Sequence, residues 1–94
     1  MKNMFDNCQN FNEPLEKWDV SKVVDMEGMF DECYVFNQPL GKWNTMRVQN
    51  FEQMFENCDF FNQPLEDWNL FSAKNMNYMF FDCQRFKQYY KKLC

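Results

Sequence analysis

The sequence predicts an α/β repeat solenoid of four coils, each a short helix plus extended segments with very short or no regular strands. Three observations lead there. One motif recurs every 25 residues without insertion or deletion. Within each recurrence a stretch of apolar residues falls at helical spacing. A proline-containing stretch then follows, and the residue before a proline is pushed to an extended conformation.

The recurrence is dense. Met4-Phe5 returns as Met29-Phe30, Met54-Phe55 and Met79-Phe80. Cys8 returns as Cys33, Cys58 and Cys83, and Phe11 as Phe36, Phe61 and Phe86. Asn12-Glu13-Pro14-Leu15 returns as Asn37-Gln38-Pro39-Leu40 and Asn62-Gln63-Pro64-Leu65, and Trp18 as Trp43 and Trp68. The chain therefore divides into repeats 1–25, 26–50, 51–75 and 76–94 of a single domain. A unit this short has too little core of its own and buries its apolar face against its neighbours. The recurring Met, Phe and Cys residues are the predicted interior, and the variable positions the predicted exterior.

The elements follow in order. Apolar residues at Val23, Met26, Met29, Phe30 and Cys33 predict a helix over 26–33, with equivalents over 51–58 and 76–83. Asp25, Asn50 and Asn75 stand where N-caps belong. Phe36-Asn37-Gln38-Pro39-Leu40 and Trp43-Asn44-Thr45-Met46 are predicted to be extended. The last repeat decays into Lys87-Gln88-Tyr89-Tyr90 and, with Lys91, Lys92 and Leu93, is predicted to be a polar C-terminal cap. The first opens directly in the helical pattern at Met1. This predicts either a fragment of a longer array or an end that meets a partner, self-association of the N-terminal coil included.

Composition narrows the function classes. The net charge is −4, and no basic block exceeds Lys91-Lys92, so no electrostatic footprint for nucleic acid is present. No apolar run approaches the roughly 18 residues of a membrane span, and the N-terminus lacks the apolar core of a secretory signal. An intracellular chain with reduced thiols is expected if Met1 is the true start, and a cell-surface location if the chain is part of a longer secreted array. Histidine is absent, which removes the commonest general base. Ser21 and Ser72 stand outside any nucleophile elbow, and Gly28 and Gly41 form no phosphate loop. No enzyme activity and no cofactor is expected.

The pattern Met-Phe-x-x-Cys-x-x-Phe-Asn-x-Pro-Leu-x-x-Trp, continued by Trp18-Asp19-Val20-Ser21-Lys22-Val23 and Met26, resembles the BspA-like leucine-rich-repeat surface proteins. The match is fullest from Met4 through Met29. Later repeats depart from it, with Met46 and Phe71 in place of Ser21 and Ala73 in place of Val23. The resemblance implies a leucine-rich-repeat-like solenoid and, for some surface members, adhesion to host or neighbouring cells.

The residue columns carry competing readings. Cys8, Cys33, Cys58 and Cys83 stand 25 residues apart. They suit small buried core residues, while a stacked column also approaches disulfide geometry. Zinc needs thiolates converging on one point, which a line of cysteines does not supply. Cys94 lies outside the column and is the expected reactive thiol. Trp18, Trp43 and Trp68 read either as a ladder on which a ligand stacks or as core-edge residues bonded to backbone carbonyls. Asn12, Asn37 and Asn62 are expected to bond backbone or one another. The predicted function is a non-enzymatic binding or scaffolding module for an unknown protein partner. The alternatives are carbohydrate or cell-surface adhesion through the Trp ladder, and a structural piece of a longer array.

Overall fold

The computed structural model of the chain describes residues 1–86. The expected C-terminal cap and Cys94 lie outside the described residues. Each repeat opens with a run of overlapping tight turns. In the first, the Met4, Asp6 and Cys8 N–H groups donate to the Met1, Asn3 and Phe5 carbonyls at 3.1, 3.2 and 3.0 Å. Asn3 and Asn7 hold positive φ values of 55° and 62°. A hydrogen-bonded turn with positive φ at its third residue has type II geometry. The same left-handed positions recur at Gly28 and Glu32, Gln53 and Asn57, and Tyr78 and Asp82.

The N–H groups between these turn-closing ones point elsewhere. Asn3, Phe5 and Asn7 donate to the Glu27, Met29 and Asp31 carbonyls of the next repeat at 2.8, 2.9 and 2.7 Å. Gly28, Phe30 and Glu32 repeat this toward Glu52, Met54 and Glu56, all at 2.8 Å. Gln53, Phe55 and Asn57 do so toward Asn77, Met79 and Phe81 at 3.0, 2.9 and 2.8 Å. Alternate N–H groups thus close turns inside a repeat and tie it to its neighbour. In the inner repeats every backbone donor over 26–33 and 51–58 is used, the Glu27 and Glu52 N–H groups donating to the Asp25 and Asn50 side chains, as burial requires.

This arrangement corrects the predicted fold class. No helix exists among the described residues, and the only bridges recorded there are the parallel Asp25–Asn50 and Asn50–Asn75. The helices expected over 26–33, 51–58 and 76–83 do not form. Two left-handed residues in each stretch break the ladder of bonds to the fourth preceding carbonyl, since an L residue in that conformation does not continue an α-helix. The chain is therefore not an α/β, leucine-rich-repeat-like solenoid. It is a compact body of 30 × 25 × 20 Å with a radius of gyration of 11.8 Å, against about 12 Å for a globular chain of this length. Asp25, Asn50 and Asn75 do accept from the N–H two residues on, at 2.9, 2.9 and 3.0 Å. That contact is an Asx turn and starts no helix.

The interior is aromatic. Phe5, Phe30, Phe55 and Phe80 stack ring on ring at 5.6, 5.5 and 5.6 Å. Phe11, Phe36, Phe61 and Phe86 do so at 5.7, 6.0 and 5.9 Å. Within each repeat the two rings face each other at 4.2 to 4.4 Å. Met29, Phe30, Cys33, Phe36, Met54, Phe55, Cys58 and Phe61 are wholly buried, and Met79 nearly so. Phe5, Phe11, Phe80, Cys83 and Phe86 are partly buried. Met4 and Cys8 are exposed, unlike the interior expected for them. Repeat 1 packs on repeat 2 and turns its other side to solvent.

Candidate functional site

The Trp column is mostly inside. Trp43 and Trp68 are buried, stack at 6.5 Å, and donate their ring N–H groups to the Leu15 and Leu40 carbonyls at 2.9 and 2.8 Å. Trp18 alone of the three is exposed, at 38%. A ligand stacking on this column meets Trp18 and finds the other two covered.

The Cys column is a second internal ladder. Cys33, Cys58 and Cys83 donate S–H to the Phe5, Phe30 and Phe55 carbonyls of the preceding repeat at 3.0, 2.9 and 2.7 Å. Burial pushes the Cys33 and Cys83 thiols up to about 12, and pushes Cys58 up as well. All four described cysteines are free thiols. The Asn column joins neighbours on the surface. Asn12 and Asn37 side-chain oxygens accept from the Asn37 and Asn62 N–H groups at 2.9 Å, and from the Gln38 and Gln63 amides at 3.0 Å.

An acidic column runs beside the turns through Asp6, Asp31 and Glu56. One oxygen each of Asp31 and Glu56 is buried without a hydrogen-bond partner among the described residues. Burial, and then the charges of Glu56, Asp6 and Glu32, push the Asp31 carboxyl up to about 6. No cluster among the described residues has the form of a metal site. No described helix is long and apolar enough to cross a membrane.

The outward edge after the Trp column is built differently. Asp19, Asn44 and Asn69 each accept the N–H two residues on, from Ser21, Met46 and Phe71 at 3.0, 3.1 and 2.8 Å. The Ser21 hydroxyl adds a 2.6 Å bond, and these two contacts lower the Asp19 carboxyl. Each turn thus holds its third residue outward: Met46 is 47% exposed and Phe71 85%. Lys22 and Arg47, which share one repeat position, and Lys74, two positions further along its repeat, are exposed. The ion pairs among the described residues, Lys2–Glu27 at 3.8 Å and Lys42–Glu16 at 3.4 Å, involve none of these three cations. A shallow groove of about 170 Å³ is lined by Ser21, Lys22, Asn44, Met46 and Arg47. The sequence shows Met46 and Phe71 as departures from a motif, and the extended conformation expected through Met46 gives way to a turn there. The signal that finds them is the Asp/Asn two residues ahead, which marks a turn tip.

No curated protein and no solved structure matches the chain. Over residues 1–93 the sequence matches the family described as Mycoplasma protein of unknown function, DUF285, and the chain belongs to that family.

Proposed function

We propose that this chain is a non-enzymatic binding or scaffolding module that engages other proteins through the outward residues of its repeats. The observation that carries the reading is the split between repeated and varied columns. Inward columns keep Phe, Leu and Trp from repeat to repeat, whereas outward ones change freely: Ser21, Met46 and Phe71 share one column, and Val35, Phe60 and Arg85 another. The changes leave large apolar groups in water at Met46, Phe60 and Phe71, and exposed apolar groups beside polar ones favour protein contact. The test is capture on immobilised chain, followed by reconstitution with the purified partner. Micromolar binding that drops when Met46, Phe60 and Phe71 are changed together to Ser supports the module. Binding unaffected by that change, or turnover of a substrate by the purified chain, overturns it.

A second reading is self-association through the first repeat. Its outer side exposes Met4 and Trp18 at 49% and 38%, and the Lys2, Met4 and Asp6 carbonyls there accept no hydrogen bond among the described residues. Kinship with BspA-like surface proteins, and with it cell-surface adhesion, rests on the motif residues. Glycan binding through the Trp column would depend on Trp18, and loss of binding in Trp18→Ala tests it.

A further inference from the structure

We propose that the edge carrying Met46, Phe71, Lys22, Arg47 and Lys74 docks an acidic peptide segment of a partner protein, one that brings an apolar anchor between its carboxylates. The proposal rests on the protein-binding reading and names the partner's chemistry. The chain carries a net charge of −4, yet Lys22 and Arg47 line one groove, and Lys74 is exposed two repeat positions further on. Lys22 has Asp19 near it, which lowers that carboxyl further. Arg47 and Lys74 take part in no ion pair among the described residues.

The apolar part of the edge is equally exposed. Phe71, at 85%, is the most exposed of the large hydrophobic side chains described. Its backbone is held by Asn69 at 2.8 Å, and Lys74 is held by its N–H bond to the Gln49 carbonyl at 2.8 Å. Ordering these groups on binding therefore costs little backbone entropy. Met46 and Arg47 border the groove of about 170 Å³, which is room for one side chain and not for a folded domain. Met46 gives the anchor an apolar seat in the groove, Lys22 and Arg47 line it, and Phe71 stands at the equivalent position of the next repeat.

Charge separates this partner from other polyanions. Charges in solution act over about 8 Å at physiological ionic strength. A short acidic segment on this edge senses chiefly the local cations. An anionic bilayer or nucleic acid is large enough to meet the whole molecule, whose net charge repels it.

The test titrates the full chain with short Glu-rich peptides holding one central Phe, with the same peptides in which Lys replaces Glu, and with phosphatidylserine vesicles. Amide shifts locate the contact. The Glu peptide should bind, with shifts confined to the three turn tips and their neighbours. Binding should weaken as salt rises, and should fall about tenfold in Arg47→Glu/Lys74→Glu. Phe71→Ser should weaken it at unchanged melting temperature. Equal binding of the Lys peptide, vesicle binding without peptide binding, or an unchanged affinity in the charge-reversed variant overturns the proposal. A natural protein partner whose binding survives that variant leaves the module reading standing and removes this edge from it.

Discussion

A carboxyl group half-buried among other carboxyls keeps its proton. Asp31 holds it up to about pH 6, whereas an aspartate in an unfolded chain releases it near about 3.9. Between those values the folded state binds more protons than the unfolded one, so this group's contribution falls as pH rises through the window. Ionised Asp31 costs stability above about pH 6 and costs none below about pH 4. Asp31→Asn should therefore raise the melting temperature at about pH 7 and change it little at about pH 4. Equal shifts at both would place Asp31 outside the acidic column. The thiols give a second residue-scale prediction. Site-resolved alkylation should label Cys8 quickly, because it is exposed, and Cys33 and Cys58 only on unfolding, because both are buried and held as thiols. Rapid native labelling of Cys58 would contradict the ladder. At this scale the sequence was partly readable. Trp rings with N–H groups on backbone carbonyls are a reading that the residues allow, and Trp43 and Trp68 adopt it. The exposure of Cys8 was hidden, because its column looks the same in every repeat and only packing separates an outer copy from an inner one.

At the scale of the element, the repeat is held by rings and by the surface asparagines. Phe55 meets Phe30, Phe61, Phe80 and Trp68 at 5.5, 4.3, 5.6 and 6.3 Å. Phe55→Ala should cost about 3–5 kcal/mol in denaturant unfolding; a loss under about 1 kcal/mol would mean the ring is not interior. Asn37→Ala removes the acceptor shared by the Asn62 N–H and the Gln63 amide. At an exposed site that should cost about 1 kcal/mol, with Asn37→Asp milder because it keeps the acceptor. The helix reading failed at this scale. Inward residues at spacings of three and four suit an α-helix, and they suit a run of overlapping turns equally well. What separates the two is the sign of φ at the Asn3 and Asn7 columns. The Asn3 column holds Asn, Gly, Gln and Tyr, and of these only Asn and Gly favour the left-handed region. The Asn7 column holds Asn, Glu, Asn and Asp, so five of the eight left-handed positions carry a favouring residue, and the bonds between repeats enforce the other three.

The whole molecule follows from its period. A recurrence of 25 residues without a break forces equivalent residues into register, and that much was plain from Met4-Phe5 onward. Register alone then builds the Phe, Trp, Cys and Asn ladders. The outer side of repeat 1 leaves Met4 and Trp18 in water, so sedimentation at micromolar concentration should show a concentration-dependent dimer that Met4→Glu returns to monomer. A monomer at every concentration would contradict self-association there. The central structural claim is that alternate N–H groups of each turn run bond to the next repeat and not along a helix. Scalar coupling across hydrogen bonds in an isotope-labelled sample tests it most directly. The account predicts coupling from the Gly28 and Phe30 amides to the Glu52 and Met54 carbonyls. Coupling from the Phe30 amide to the Met26 carbonyl, the bond a helix would make, would contradict it.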